Sequence, residues 1–285
     1  MKRKNILIAS LLLAILLVVL VLMTKNFRTE ISITSPVFAD KTAEQIRNDT
    51  SLDLKEINPY SYLLKIHTSG NYEKPVRLLI QPDANKPSTS ALRLQYFKKG
   101  YEFLFPVKND PVQELADRIN SYLNNTEILY GFKIERTTVQ DTTYLLKSIL
   151  VQTDDLLPKM KLVYDSLIRY AAEKKINYKG VRIFNIYRID SSINQLNASI
   201  SIHTQLKEAL PDGIAFKQMP YKKNLLVAAF KGHFNQVHLA FEALERYKSD
   251  YNLINMAIPY AELPQDLTIQ SESQLVELKV YYPYF

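Results

Sequence analysis

Side chains able to do chemistry are sparse along this 285-residue chain. His233 and His238 stand five apart, not the four that sets two imidazoles on one helix face around zinc, and no acidic third ligand is spaced to help. His67 and His203 are isolated. The chain has no cysteine, which excludes disulfides, thiolate metal sites, a cysteine nucleophile and a lipobox, and is compatible with either redox compartment. There is no G-x-S-x-G elbow, no phosphate loop with its lysine and no G-x-G-x-x-G. Asp154-Asp155 precedes a helix and reads as capping. No catalytic residue, metal or cofactor is therefore expected.

What remains is a set of rings and charges near the C-terminus. In QLVELKVYYPY the apolar Val276, Leu278 and Val280 alternate with Glu277, Lys279 and Tyr281, so the first set meets the core and the second an open sheet face. Tyr187 and Tyr260 hold matching places in an internal repeat. Tyr187, Tyr260, Glu277 and Tyr281 are the candidate ligand-binding residues. A carboxylate among aromatic faces suits a cationic or aromatic molecule, since a cation–π contact contributes about 0.5–2 kcal/mol. Plainer readings stay open: Glu277 beside Lys279 is also an ordinary solvated pair, and both tyrosines are also ordinary half-buried sheet residues. Glu262 reads as a loop carboxylate.

The repeat is the strongest organising signal. VYDSLIRY and AFEALERY align without a gap, 77 positions apart, as do Tyr144 and Tyr221. Beyond the helix the offset falls to 73, where Tyr187 meets Tyr260, which predicts a loop four residues longer in the first unit. Each unit reads strand, strand, helix, strand, strand. EILYGFKIERT and TTYLLKSILVQ, around Val139-Gln140-Asp141, open the first. A helix from about Asp155 buries Leu156, Met160, Val163, Leu167 and Tyr170, and GVRIFNIYRI and LNASISIHT close the unit. IAFKQM, NLLVAAFKG, a helix burying Val237, Phe241, Leu244 and Tyr247, and QLVELKVYYPY form the second. Two such units side by side leave a sheet face that must be covered or used.

Residues 28–107 are strand-rich, with SALRLQYF joined to YEFLFPV through a hairpin at Lys98-Lys99-Gly100. Asp110 as N-cap, Pro111 at the first helical position and an apolar stripe of Val112, Leu115, Ala116, Ile119 and Leu123 mark a helix. The domain boundary follows Asn124-Asn125. At the other end, residues 6–23 carry no charge, and the spacing predicts a transmembrane anchor. Lys2, Arg3 and Lys4 would keep its N-terminus cytoplasmic and the domains extracytoplasmic. Five of the positive charges lie within the first 28 residues, so the net charge of +7 leaves only +2 for the rest. That argues against a nucleic-acid partner.

VAAFKGHFNQVHLAFEALERY, AIPYAELPQD and LVELKVYYPYF together resemble the GyrI-like effector-binding domain, also called the bacterial transcription activator effector-binding domain. Gly232, Phe241, Leu244, Tyr260, Pro264 and Pro283 stand at its characteristic places, and the resemblance covers about 127–285. It implies a pseudo-twofold pair of strand-helix-strand-strand units binding a small, often cationic or aromatic molecule in the cleft between them. Ile258 stands where relatives often carry a glutamate, Gln152-Thr153-Asp154 replaces the glycine turn of the first unit, and tryptophan is absent. Both absences of motif tell against the hydrolase activity of some relatives. Residues 28–126, from TEISITSPVFADKTAEQI to the Asp110 helix, are more distantly similar to a polyketide-cyclase-like (START-type) domain.

The expectation is thus an α+β protein: a membrane anchor at 1–27, an α+β domain at 28–126 and a tandem GyrI-like domain at 127–285. Its expected role is non-catalytic binding of a small molecule. Two other roles stay open, a hydrolase of a small electrophile using Glu277 and a structural envelope protein.

Overall fold

The computed structural model describes residues 2–67, 73–105, 110–140, 143–203, 210–211, 213–264 and 267–285, with side chains from residue 12 onward. The chain divides into two compact units, Met1–Asn125 and Thr126–Phe285.

In the first unit α1 (Lys2–Thr24) leads into β1 (Asn26–Ser35), α2 (Ala39–Asn48), β2 (Leu54–Asn58), β3 (Ser61–His67), β4 (Glu73–Pro82), β5 (Ser90–Lys99), α3 (Gly100–Leu104) and α4 (Pro111–Asn124). The strands form one antiparallel sheet in the order β1-β5-β4-β3-β2. Apolar residues alternate along β4 and β5, so Val76, Leu78, Ile80, Leu92 and Leu94 share one buried face. Ile46 of α2 and Ile119 and Leu123 of α4 cover that face. The expected strand YEFLFPV is instead α3, with Pro106 and Val107 outside the described residues. Gly100 makes the switch: its N–H donates to Lys25 O, and a Cβ there would lie 1.9 Å from Leu22 O.

The expected membrane anchor at 6–23 requires correction, and with it the single-pass placement of the domains. Among the described residues no helix is long and apolar enough to cross a membrane. The side chains of residues 6–11 lie outside the described residues.

The second unit runs α5 (Thr126–Tyr130), β6 (Ile134–Thr138), β7 (Thr143–Gln152), α6 (Leu156–Glu173), β8 (Tyr178–Arg188), β9 (Ile193–Ile202), β10 (Ile214–Gln218), β11 (Asn224–His233), α7 (Val237–Asp250), β12 (Tyr260–Leu263) and β13 (Leu275–Pro283). All eight strands join one antiparallel sheet, ordered β10-β7-β9-β8-β12-β13-β11-β6. That order reads the same from either end when β6–β9 are exchanged for β10–β13. The expected fold is corrected here as well. The architecture is two large antiparallel sheets with few helices, and the repeats are not self-contained units set side by side.

Two connections explain why. β6 and β7 follow one another in the chain, yet β6 pairs with β11, and β10 pairs with β7. Each repeat therefore gives its first strand to the other. In a flat sheet β6 and β7 would stand six strand spacings apart, about 29 Å. The five Cα steps from Thr138 to Thr143 reach at most about 19 Å. The same conflict holds between Gln218 and Asn224. The sheet must curl until its two ends approach. Val139 N–H donates to Lys223 O (2.9 Å) and Lys222 N–H to Val139 O (3.1 Å), tying the two connections together where they cross.

Curling gives the sheet two unlike faces. The convex face carries the main core, where Leu145, Leu196, Ile200, Leu226 and Val280 meet Leu167 of α6 and Leu244 of α7. The concave face carries a smaller cluster of Val139, Tyr144, Ile183, Met219, Leu225 and Tyr260. The two helices also differ. Leu156 and Val237 open them after matching 3-10 turns, but α6 has 18 residues and α7 has 14. The helices start 81 positions apart and end 77 apart, so the four-residue difference lies within α6, and the expected longer loop after it, with its offset of 73, is not found.

Asp110 generates a test of the first unit. Its carboxylate accepts from Val112 N–H (3.0 Å) and from Lys98 Nζ (2.7 Å). Burial pushes the carboxyl pKa up, but the lysine and the amide outweigh it and hold the group below its usual range. A depressed pKa adds stability above the ordinary carboxylate value, about pH 4, that is lost as pH falls through the folded value. Asp110→Ala is expected to lower unfolding free energy by about 1–2 kcal/mol at pH 7. Asp110→Asn should keep the cap yet flatten the acid limb in urea melts from pH 3 to 7.

Candidate functional site

The concave face holds an open groove of about 390 Å³ at the middle of the eight-stranded sheet. Its floor is built by alternation. On β12, Tyr260 and Glu262 face the same way, and on β13 so do Lys279 and Tyr281, while Val280 and Leu278 turn to the helices. Register sets Tyr260 opposite Tyr281 and Glu262 opposite Lys279, giving a row of rings beside a row of charges. The two rings stack with centroids 5.0 Å apart and an interplanar angle of 23°. Tyr260 is the buried member and Tyr281 the half-exposed one.

Small residues keep the neighbouring floor low. On β11, Val227 lies beside Tyr281 and Ala229 beside Lys279 in register. The far wall is β6, the exchanged strand, which brings Lys133, Glu135 and Thr137 to the rim. Lys133 and Glu135 are paired with each other at 2.7 Å, and that contact holds the Glu135 carboxyl below its usual range, with a smaller contribution from Lys279. Tyr144 of β7 and Gln140 of the crossing connection close the groove at the curl. The exchanged strand thus supplies a wall that a self-contained repeat would lack.

An arginine cage holds that wall in place. Arg136 points to the convex side, donates from Nε to Tyr247 Oη (3.2 Å), and lies over the rings of Tyr247, Tyr251 and Tyr284 at 5.7, 5.1 and 6.0 Å. Tyr247 and Tyr251 stack at 4.1 Å. Burial opposes the guanidinium charge, but the hydroxyls of these rings raise its pKa further, so it stays charged.

The structure brings two of the four candidate residues together. Tyr260 and Tyr281 form the stacked pair. Tyr187 is 64% exposed near the outer end of β8 and does not line the groove. The offset of 77 at the helix ends carries on into the next strand, so Ile183, opposite Glu262 and clustered with Tyr260, takes the matching place instead. Glu277 lies one row further out on β13, highly exposed and 3.8 Å from Lys231, and does not line the groove either. Glu262, read as a loop residue, is in β12 on the floor. The signal that would have found it is its two-residue spacing from Tyr260. Tyr144, Lys133 and Glu135 went unread because their places depend on strand exchange. Among the described residues no cluster of His, Asp and Glu could hold a metal ion.

No family model matches the chain, and no curated protein does. Among solved structures it is similar to EcmrR in the EcmrR–DNA complex of EcmrR-RPo, at 16% identity and a TM-score of 0.44 over 61% of this chain and 66% of that one. It is also similar to the EcmrR C-terminal domain, at 12% identity and 0.41 over 54% and 98%. A conserved protein from Listeria innocua matches at 12% and 0.37 over 54% and 92%. No family is assigned from these neighbours.

The cage gives a test of how the wall is held. Arg136→Ala is expected to destabilise the protein by about 1–2 kcal/mol through lost stacking and hydrogen bonding. Hydrogen exchange should rise first in β6. Uniform exchange changes, with β6 no more affected than β9, would show that Arg136 does not secure the wall.

Proposed function

We propose that the concave groove binds a small aromatic molecule bearing a positive charge, and that it does so without catalysing a reaction. The observation that carries this reading is the stacked Tyr260–Tyr281 pair with Glu262 one row away on the floor of a cavity of about 390 Å³. A half-exposed ring offers its face to a second flat ring, and a nearby carboxylate favours a cation there. The volume lies in the usual range for small-molecule pockets. The resemblance to GyrI-like effector-binding domains points the same way.

Fluorescence titration of the full chain with proflavine, a flat cation, is the direct test. Saturable binding is expected. Tyr281→Ala should weaken it about tenfold, from the loss of about 1–2 kcal/mol of stacking and cation–π contact. Glu262→Gln should weaken it several-fold, and Tyr187→Ala should leave it unchanged. Saturable binding that ignores both Tyr281→Ala and Glu262→Gln would put the dye elsewhere and end this reading.

A further inference from the structure

The groove floor carries more charge than a receptor for simple cations needs. Lys133 and Glu135 satisfy each other at the rim. Glu277 and Lys231 do so further out. Glu262 and Lys279 are different. They face each other in register on adjacent strands, where Cβ atoms stand about 4.5–5.5 Å apart, yet among the described residues neither makes an ion pair or side-chain hydrogen bond. Ala229, the neighbour of Lys279 on β11, ends at its Cβ and leaves space beside the lysine. One row away, Tyr281 lines the same groove.

Resting on the reading of this groove as a ligand site, we propose that its ligand is an aromatic amino acid or a close derivative. Such a molecule carries an ammonium and a carboxylate together at one end of a ring. The ring would lie against Tyr281. The ammonium would meet Glu262 and the carboxylate Lys279. A compact pair of opposite charges matches two side chains rooted on neighbouring positions, whereas a molecule with its charges at opposite ends does not. A cation alone would leave Lys279 facing it with like charge, and an anion alone would do the same with Glu262. Glu262 and Lys279 form no ion pair with each other, so a ligand that takes both has none to break between them. Each charge-assisted contact made in a partly dry groove is in turn stronger than a neutral one.

Tryptophan, tryptamine and indole-3-propionate separate the possibilities, because they share the ring and differ only in charge. The protein has no tryptophan of its own, so indole fluorescence reports the ligand alone. With the full chain, tryptophan is expected to bind at least about tenfold more tightly than either singly charged analogue. Lys279→Gln should reduce tryptophan to the level of tryptamine without weakening tryptamine. Glu262→Gln should reduce it to the level of indole-3-propionate. The exchanged double variant, Glu262→Lys with Lys279→Glu, should recover most of the tryptophan affinity, which a merely misfolded variant would not do. If tryptamine binds as tightly as tryptophan and Lys279→Gln is silent, the amino-acid assignment is overturned while proflavine binding still supports the groove as a receptor for aromatic cations. If none of the three binds while proflavine does, the assignment is likewise overturned. If proflavine also fails, the groove is not a ligand site and both readings go.

Discussion

The reach of two short stretches of backbone governs the second unit. Thr138 must connect to Thr143, and Gln218 to Asn224, across strands that lie near opposite ends of an eight-stranded sheet. The chain cannot span a flat sheet in so few residues. Curling follows from that, and so do a convex face for the helices and a concave one for the groove. The crossing hydrogen bonds between Val139 and Lys222-Lys223 mark where the constraint is met. The groove is a by-product of closure that the side chains on its floor then exploit.

Those side chains are laid out by strand arithmetic. Two adjacent strands with a period of two place like beside like in rows: stacked rings, then opposed charges, then a solvated pair. Among the described residues the middle row makes no ion pair of its own, and it sits beside the short side chain of Ala229. The wall that encloses it belongs by sequence to the other repeat, and Arg136 with its three tyrosine rings fastens that wall to α7. Core packing on one face thus sets the position of groove residues on the other.

What was legible in the sequence was local. Asp110-Pro111 opens a helix, because capping involves neighbours in the chain, and Asp110 does accept from Val112 N–H. Val276, Leu278 and Val280 turn inward and Lys279 and Tyr281 outward, because alternation needs only one strand. Illegible was whatever depended on distant pairing. β6 and β7 look like a hairpin, and nothing near them says that β6 belongs beside β11. Glu262 hid in a strand of four residues, too short to show a period. Tyr187 was matched to Tyr260 because both are tyrosines in strands after a helix, although the helix ends keep the offset at 77 rather than 73.

The exchange of first strands also has a consequence for how the chain matures on the ribosome. β7 is made long before β10, so the first repeat emerges with one flank bare and its own leading strand without a seat until β11 appears. Neither repeat is a stopping point for synthesis. The nascent protein must carry that open flank, with its aggregation hazard, until β10 of the second repeat is translated.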